Sequence, residues 1–424
     1  MAKIQAVRGM NDILPSETPD WQYFETTVSN LLTSYQYQEI RLPILEKGEL
    51  FHRGVGEGTD IVEKETYDFN DRNGEPLTMR PEGTAGCVRA AIQHGMLRDQ
   101  VQKLWYMGPM FRHERPQKGR YRQFYQLGVE IYGIKNIRIE AELLALSWRL
   151  WQKLGLNKHV KLEVNNLGTM ENRESFKTAL VSYLEPLKDQ LDEDSQRRLY
   201  KNPLRILDTK NKTTKALLID APRLSNYIDH DITENFTLLI QHLKSLGMPV
   251  EVNPFLVRGL DYYSHTVFEW TTDALGAQGT ICAGGRYNTL VEQLGGPATP
   301  AVGFAMGIER ILLLMRQFDT LPESQMQPDV YIISAGETAQ WHALSLSEQL
   351  RSTLPSISFE INTQGGSFKS QFKKADRSGS RLAIIIGENE LEQEIYNLKY
   401  LQGDKDPEQI KTSMLIEHLQ RYFS

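Results

Sequence analysis

Apolar residues along this chain switch between two periods. From Trp21 to Tyr35, Trp21, Phe24, Val28 and Leu31 recur at spacings of three and four, the pattern of a helix with one buried face. Glu39 to Leu45 then reads as a strand with Pro43 inside it, and a proline there demotes a strand to an edge or bulge, or marks where another chain approaches. Val101 to Phe111 is an apolar run with the look of a buried strand, and Phe124 to Tyr132 is a second. A helix is predicted from Ile139 to Leu154, opening on Glu140 and Glu142 and stopping at Gly155. Residues Asn172 to Lys244 are polar, rich in lysine and glutamate and mostly helical, which reads as a helical insertion between two halves of one domain. Strand-like runs return at Phe255 to Thr271 and Gly279 to Cys282.

Arg316 to Asp329, with two prolines and no period, reads as a linker. Beyond it strands at Val330–Ser334, Ile357–Ile361 and Leu382–Ile386 alternate with helices at Thr338–Thr353 and Phe368–Arg377. That alternation predicts a small α/β domain with a largely parallel sheet. The expected domains are 1–325, interrupted at about 172–245, and 326–424. There are no internal repeats and no low-complexity tract.

Composition narrows the class. In 424 residues, 40% are hydrophobic and 24% charged, as in a globular protein with a sizeable core. A net charge of −6 argues against a protein coated in nucleic acid, yet leaves room for local basic patches. The two cysteines, Cys87 and Cys282, form no CxxC pair, and no HExxH occurs, so neither a disulfide framework nor a zinc site is expected; a reducing cytoplasm is. Met1 to Pro15 has no apolar signal-peptide core, and no run of about 18 uncharged apolar residues predicts a membrane span. The P-loop pattern, a GxGxxG after a strand and the GxSxG elbow are all absent, so a nucleotide would have to be held by another device.

The stretch Phe111-Arg112-His113-Glu114-Arg115-Pro116-Gln117-Lys118-Gly119-Arg120-Tyr121-Arg122-Gln123-Phe124 suggests what that device is. It carries five Arg/Lys against one Glu between two apolar strands, with Pro116 and Gly119 where a hairpin would turn. Planar guanidinium groups bind phosphate bidentately, so such a hairpin can clamp a polyphosphate, and Phe124 can stack on a purine. A solvated basic hairpin is the competing reading. Downstream, Ala301 to Arg310 joins a glycine-bearing strand to a helix, placing Arg310 near the helix start, either toward a ligand or on the surface.

Taken together these segments resemble the class II aminoacyl-tRNA synthetases. Arg112-His113-Glu114 resembles their motif 2, Gly303 to Arg310 their motif 3, and Glu39 to Leu45, with Pro43, their motif 1 strand at the dimer interface. Val257-Arg258-Gly259-Leu260-Asp261-Tyr262-Tyr263 with Thr266 to Glu269, and Cys282-Ala283-Gly284-Gly285-Arg286-Tyr287, resemble the two signatures of the histidyl-tRNA synthetase family. Arg80-Pro81-Glu82-Gly83-Thr84 is similar to that family's substrate loop, and the likeness extends from Val7-Arg8-Gly9-Met10-Asn11-Asp12 to the C-terminal domain. Asn288 and Thr289 depart from the pattern, standing where Asp and Gly are usual.

The resemblance implies an α+β catalytic domain, an antiparallel sheet flanked by helices, with a helical insertion and a C-terminal α/β anticodon-binding domain. It implies a homodimer that joins L-histidine to tRNA(His) with ATP and magnesium through histidyl-adenylate. Catalytic roles fall to Arg258 and Arg112. Histidine would be held by Glu82, Thr84, Arg112, Gln126, Glu130, Arg258, Tyr262, Tyr263 and Tyr287, with Glu82 and Thr84 on the ammonium side and Glu130 and Tyr263 on the ring nitrogens. ATP would be held by Arg112, Glu114, Arg120, Phe124 and Arg310. No protein ligand for a metal is assigned.

Read from the residues alone, Gln126 and Glu130 share one face of their strand, pocket-facing or solvent-facing, and Arg258 has Asp261 as an alternative partner. The basic face of Lys369, Lys373, Lys374 and Arg377, with Arg381 after it, suits tRNA phosphates or is simply solvated. The second functional class is a regulatory subunit of histidine biosynthesis built on the same fold without aminoacylation activity; such paralogues lack the C-terminal domain and erode the ATP-binding arginines, and both are present here.

Overall fold

A computed structural model of the chain describes residues 3–56, 59, 61–260, 262–322 and 327–423, and leaves the side chains of 277 and 278 undescribed. Asp261 and the middle of the Arg316–Asp329 stretch lie outside these residues. The chain divides into two compact units, Met1–Leu321 and Pro322–Ser424.

In the first unit the strands are β1 (Gln38–Glu39), β2 (Leu45–Lys47), β3 (Tyr67–Asn70), β4 (Pro76–Met79), β5 (Gln102–Phe111), β6 (Gln123–Tyr132), β7 (Lys161–Asn166), β8 (Val250–Val252), β9 (Ser264–Thr271), β10 (Thr280–Arg286) and β11 (Ala301–Gly307). Eight of them make one sheet in the order β1-β5-β6-β11-β10-β9-β7-β8. Its interior is antiparallel, as expected, while β1 and β8 join parallel at the two ends, so the sheet is mixed. Helices Thr18–Ser34, Arg138–Lys153 and Ile308–Gln317 cover one face, burying Phe24, Leu31, Leu143, Trp151, Ile311 and Leu314 against Val129, Phe268 and Trp270 of the strands. The opposite face carries the chemistry.

Where the chain departs from its predicted elements, side chains have taken over backbone hydrogen bonds. Glu39–Leu45 is not one strand. It ends as β1, resumes as β2 in a separate three-stranded sheet with β4 and β3, and is irregular between. There the guanidinium of Arg80 donates to the carbonyls of Leu42 (2.8 Å) and Pro43 (3.3 Å), and Pro43 has no N–H for a ladder. Likewise Phe255–Thr271 becomes strand only from Ser264. The first half is a loop whose carbonyl at Leu256 accepts from Asn165 Nδ2 (2.9 Å) and whose amide at Phe255 donates to Asn253 Oδ1 (3.0 Å).

Between β7 and β8 lie helices Met170–Leu184, Glu193–Lys201, Lys212–Leu217 and His230–Ser245. Phe176, Leu180, Leu199 and Leu224 of the first part share a core with Leu256, Val257, Tyr262 and Tyr263, so this part packs on the Phe255–Tyr263 loop. The last helix instead buries Leu239, Ile240 and Leu243 in the core of the main sheet.

The second unit is a five-stranded sheet of β12 (Val330–Ala335), β13 (Phe359–Ile361), β14 (Leu382–Gly387), β15 (Ile395–Tyr400) and β16 (Glu408–Lys411), ordered β13-β12-β14-β15-β16. Only β13, β12 and β14 are parallel; β15 and β16 add an antiparallel edge, so the sheet is mixed rather than largely parallel.

One buried ion pair ties the helical layer to the sheet. Arg286, at the end of β10, donates from Nε and Nη2 to the two oxygens of Glu140, both at 2.6 Å, and the side chains are 4% and 1% exposed. Removing one partner strands the other charge, which costs about 3–5 kcal/mol. Glu140→Ala should therefore destabilise the first unit by about that amount in urea unfolding; a loss below about 1 kcal/mol would show the pair to be dispensable.

Candidate active site

Strand alternation puts Phe124, Gln126, Gly128 and Glu130 of β6 on one face, and the structure turns that face inward: Gln126 is 8% exposed and Glu130 1%. Around it lies a cavity of about 200 Å³ lined by Glu82, Thr84, Arg112, Glu114, Arg120, Phe124, Gln126, Arg258, Tyr262, Tyr263 and Arg310, together with Thr280, Cys282 and Glu309 among others. The β5–β6 hairpin, the Arg80–Thr84 loop, the loop before β9, strand β10 and the β11–helix junction converge here from distant parts of the chain.

Each arginine is anchored. Arg112 donates from Nε to the carbonyl of Pro81 (2.8 Å) and lies over the ring of Phe124, 5.2 Å from its centroid. Arg120 pairs with Glu114 and, at 3.6 Å, with Glu65. Arg310 donates to the carbonyls of Gly119 (3.0 Å) and Thr280 (2.7 Å), stapling the hairpin loop to β10. Arg258 pairs with Glu269, and its alternative partner Asp261 is outside the described residues. Burial lowers the pKa of Arg310 from its ordinary value, and the nearby charges of Arg120 and Arg112 lower it further. Cations that repel each other in a confined space are stabilised by an anion, so the cavity suits a polyphosphate.

On the other side Glu82 accepts from the amides of Thr84 (2.7 Å) and Ala85 (2.8 Å), capping the helix Thr84–Gln93, with its own carboxyl pushed up in pKa by burial. Gln126 Oε1 and Arg258 Nε are buried on the cavity with no partner among the described residues. Buried polar atoms are normally paired, so an orphaned acceptor and an orphaned donor mark where a ligand would supply both.

Glu130 and Tyr287 are placed behind the lined cavity. The Glu130 carboxylate accepts from Tyr106 Oη (3.1 Å) and from Tyr287 Oη, and Tyr106 Oη is 3.5 Å from Thr84 Oγ1. A Cβ on Gly303 would overlap this carboxylate, and one on Gly128 would overlap the Tyr106 ring, so two glycines make room for the cluster. The rings of Tyr262, Tyr263 and Tyr287 pack together, with centroids 4.7–6.4 Å apart.

Sequence reading gave no role to Tyr106, Glu65, Glu269 or Glu309, although the last two lie within the segments of family resemblance. Glu309 was visible beside Arg310, and it accepts from the amide of Tyr125 (2.8 Å), but the others depend on pairings that only the fold creates. In the second unit Lys369, Lys373, Arg377 and Arg381 are exposed, Arg381 also lying over the rings of Tyr422 and Phe423, whereas Lys374 is half-buried and donates to Gln364 (2.8 Å).

Burial drives the pKa of Glu130 up to about 8, against bonds from Tyr287 and Tyr106 that pull it down. The folded state therefore holds a proton that the unfolded chain, near 4.5, has released, and stability attributable to this group falls as pH rises from about 4.5 to about 8. Thermal melts at pH 5, 6.5 and 8 should show the melting temperature of Glu130→Gln gaining on the unsubstituted chain with rising pH; a difference independent of pH would contradict this.

Comparisons with known proteins follow the same division. The family described as Histidyl-tRNA synthetase matches residues 9–311, and the Anticodon binding domain matches 329–422. Among solved structures, the apo histidyl-tRNA synthetase of S. aureus is 36% identical over 98% of this chain and 99% of its own, with a TM-score of 0.83. The histidyl-tRNA synthetase of Nostoc sp. shares 20% identity over all of both chains (TM-score 0.72). A Bacillus halodurans protein, described as an ATP phosphoribosyltransferase regulatory subunit/histidyl-tRNA synthetase, shares 20% over 91% of this chain and 98% of its own (TM-score 0.65). At 20% identity the latter two speak for the fold alone.

Proposed function

This chain belongs to the histidyl-tRNA synthetase family, and we propose from its site that it is an active histidine–tRNA ligase. The observation that carries the reading is the set of arginines around one cavity, Arg112, Arg120, Arg258 and Arg310, beside a Gln126 acceptor with no partner among the described residues and the Glu82 carboxylate. A regulatory paralogue has no need of the phosphate-holding members of that set.

In the first step the carboxylate of histidine attacks the α-phosphorus of ATP and pyrophosphate leaves. Two anions must meet, so the reaction is a matter of positioning and of neutralising charge. Arg258 and Arg112 hold the carboxylate and α-phosphate in line; Arg120 and Arg310 hold the outer phosphates; Phe124 stacks on the adenine. Guanidinium does not titrate near neutrality, so none of these residues moves a proton. Glu114 and Glu309, carboxylates on the same wall, would hold a magnesium ion brought in with ATP, which would supply charge neutralisation for the phosphates. In the second step the terminal ribose hydroxyl of tRNA(His) attacks the acyl carbon, its proton passes to a phosphate oxygen of the adenylate, and AMP leaves.

Glu82, Thr84 and Gln126 receive the ammonium group, while Tyr262 and Tyr263 wall the side chain and Tyr287 packs behind them. Tyr263 bonds one imidazole nitrogen and Glu130 the N–H of the other. For Glu130 to reach it, one carboxylate oxygen exchanges its tyrosine hydroxyl for the ring. An amino acid without matching polar atoms leaves these buried groups unpaired, which discriminates strongly and fits a synthetase without editing.

The exposed Lys369, Lys373 and Arg377 supply phosphate contacts to the anticodon arm. Exposed Ile44 and Leu45, within the motif 1 resemblance, form part of the surface that a second copy covers. No described helix is long and apolar enough to cross a membrane, and the proposed reaction belongs in the cytoplasm.

ATP–pyrophosphate exchange with each amino acid in turn tests the reading: exchange with histidine alone is expected, and none with any amino acid would favour the regulator. Arg258→Ala should cut the exchange rate by at least about 100-fold while histidine affinity falls far less; equal losses in both would remove its catalytic role.

A further inference from the structure

Glu269 is absorbed by none of the roles above, yet it touches Arg258. It stands on β9, where its register partner across β7 is Glu163. Like charges directly opposite on neighbouring strands are destabilising, so each needs a compensating partner. Glu163 accepts from Asn253 Nδ2 (2.6 Å) and from Thr271 Oγ1 (3.3 Å). Glu269 accepts from Arg258 Nη1 with one oxygen and from Thr280 Oγ1 (2.7 Å) with the other. The two acids thus grip the same loop, Glu163 at Asn253 and Glu269 at Arg258.

The loop itself has no strand ladder to fix it, and an arginine on such a segment has many rotamers to lose. Here one edge of the guanidinium is tied to a rigid strand, while Nε, on the cavity wall, has no partner among the described residues. Thr280 is on the neighbouring strand and lines the cavity too, and its carbonyl accepts from Arg310. With one oxygen held by Thr280, the Glu269 carboxylate offers its other oxygen at a fixed point and tethers the Nη1 end of the guanidinium there.

We propose that Glu269, held by Thr280, is the positioning residue that presents Arg258 to the reacting carboxylate and α-phosphate. The inference rests on the ligase reading above. It acts through Arg258 and touches neither substrate.

A double-mutant cycle on the full-length protein tests it. Glu269→Gln should lower the turnover of histidine-dependent pyrophosphate exchange by about 100-fold, the scale of a misplaced reacting group, with the KM for histidine within about twofold. Thr280→Val should cause a smaller loss of the same kind. Combined with Arg258→Ala, Glu269→Gln should add nothing, because its effect passes through the guanidinium. Losses that multiply in the double variant, or a Glu269→Gln rate equal to that of the unsubstituted chain, would overturn the proposal. Crystal structures of the unsubstituted and Glu269→Gln proteins give a readout independent of activity. Arg258 should leave its cavity-facing orientation in the variant, and an unmoved Arg258 would overturn the inference. If the unsubstituted protein exchanged no pyrophosphate with histidine, the ligase reading would fail, while the crystal structures would still decide the role of Glu269.

Discussion

Crowding four guanidinium groups around one cavity is the constraint to which the rest of the site answers. Unaided, such a cluster would repel itself apart or turn outward to water. Here each arginine is tied to an acceptor: Arg112 to the carbonyl of Pro81, Arg310 to those of Gly119 and Thr280, Arg120 to Glu114 of its own hairpin loop, and Arg258 to Glu269. The tethers do two things at once. They offset part of the repulsion, and they aim the remaining donors inward. What is left over, a cationic wall with unfilled hydrogen-bonding capacity, suits an anionic ligand.

The scaffold supplies the acceptors through sheet geometry. An inward face on β6, glycines on β6 and β11 that let a tyrosine ring and a carboxylate sit between strands, and a capped helix beginning at Thr84 are all local features. Their meeting point is a consequence of strand order, since β6 and β11 are neighbours in the sheet but far apart in sequence. Behind them, Arg286 and Glu140 fasten the end of β10 to the covering helix.

Much of this could be read in advance, for a physical reason. The arginine hairpin, the β6 alternation and the glycine-bearing strand before Arg310 are short-range patterns, so their residue types carry the information. The partners escaped because they are defined by register and tertiary contact. Nothing near Glu269 marks it as the counter-charge of Arg258, and Glu140 finds Arg286 across 146 positions. Tyr106 looked like one more apolar residue of a buried strand until Gly128 opposite it made room for its ring. The same limit explains the irregular Ile40–Ile44 segment: Arg80 captures its carbonyls, and no local pattern announces that. In the second unit, Ile395–Tyr400 alternates and buries Tyr396, Leu398 and Tyr400, but its antiparallel place between β14 and β16 is set by register and not by any local pattern.

The cavity is complementary to histidine joined to the adenylate phosphate, and so binds that joined form better than histidine alone. Calorimetry with a non-hydrolysable sulfamoyl analogue of histidyl-adenylate, compared with free histidine, tests it most directly. The analogue should bind at least about 100-fold more tightly, as expected of a site complementary to the intermediate. Equal affinity for the two would mean that the arginine wall does not hold the phosphate end, and would contradict the account.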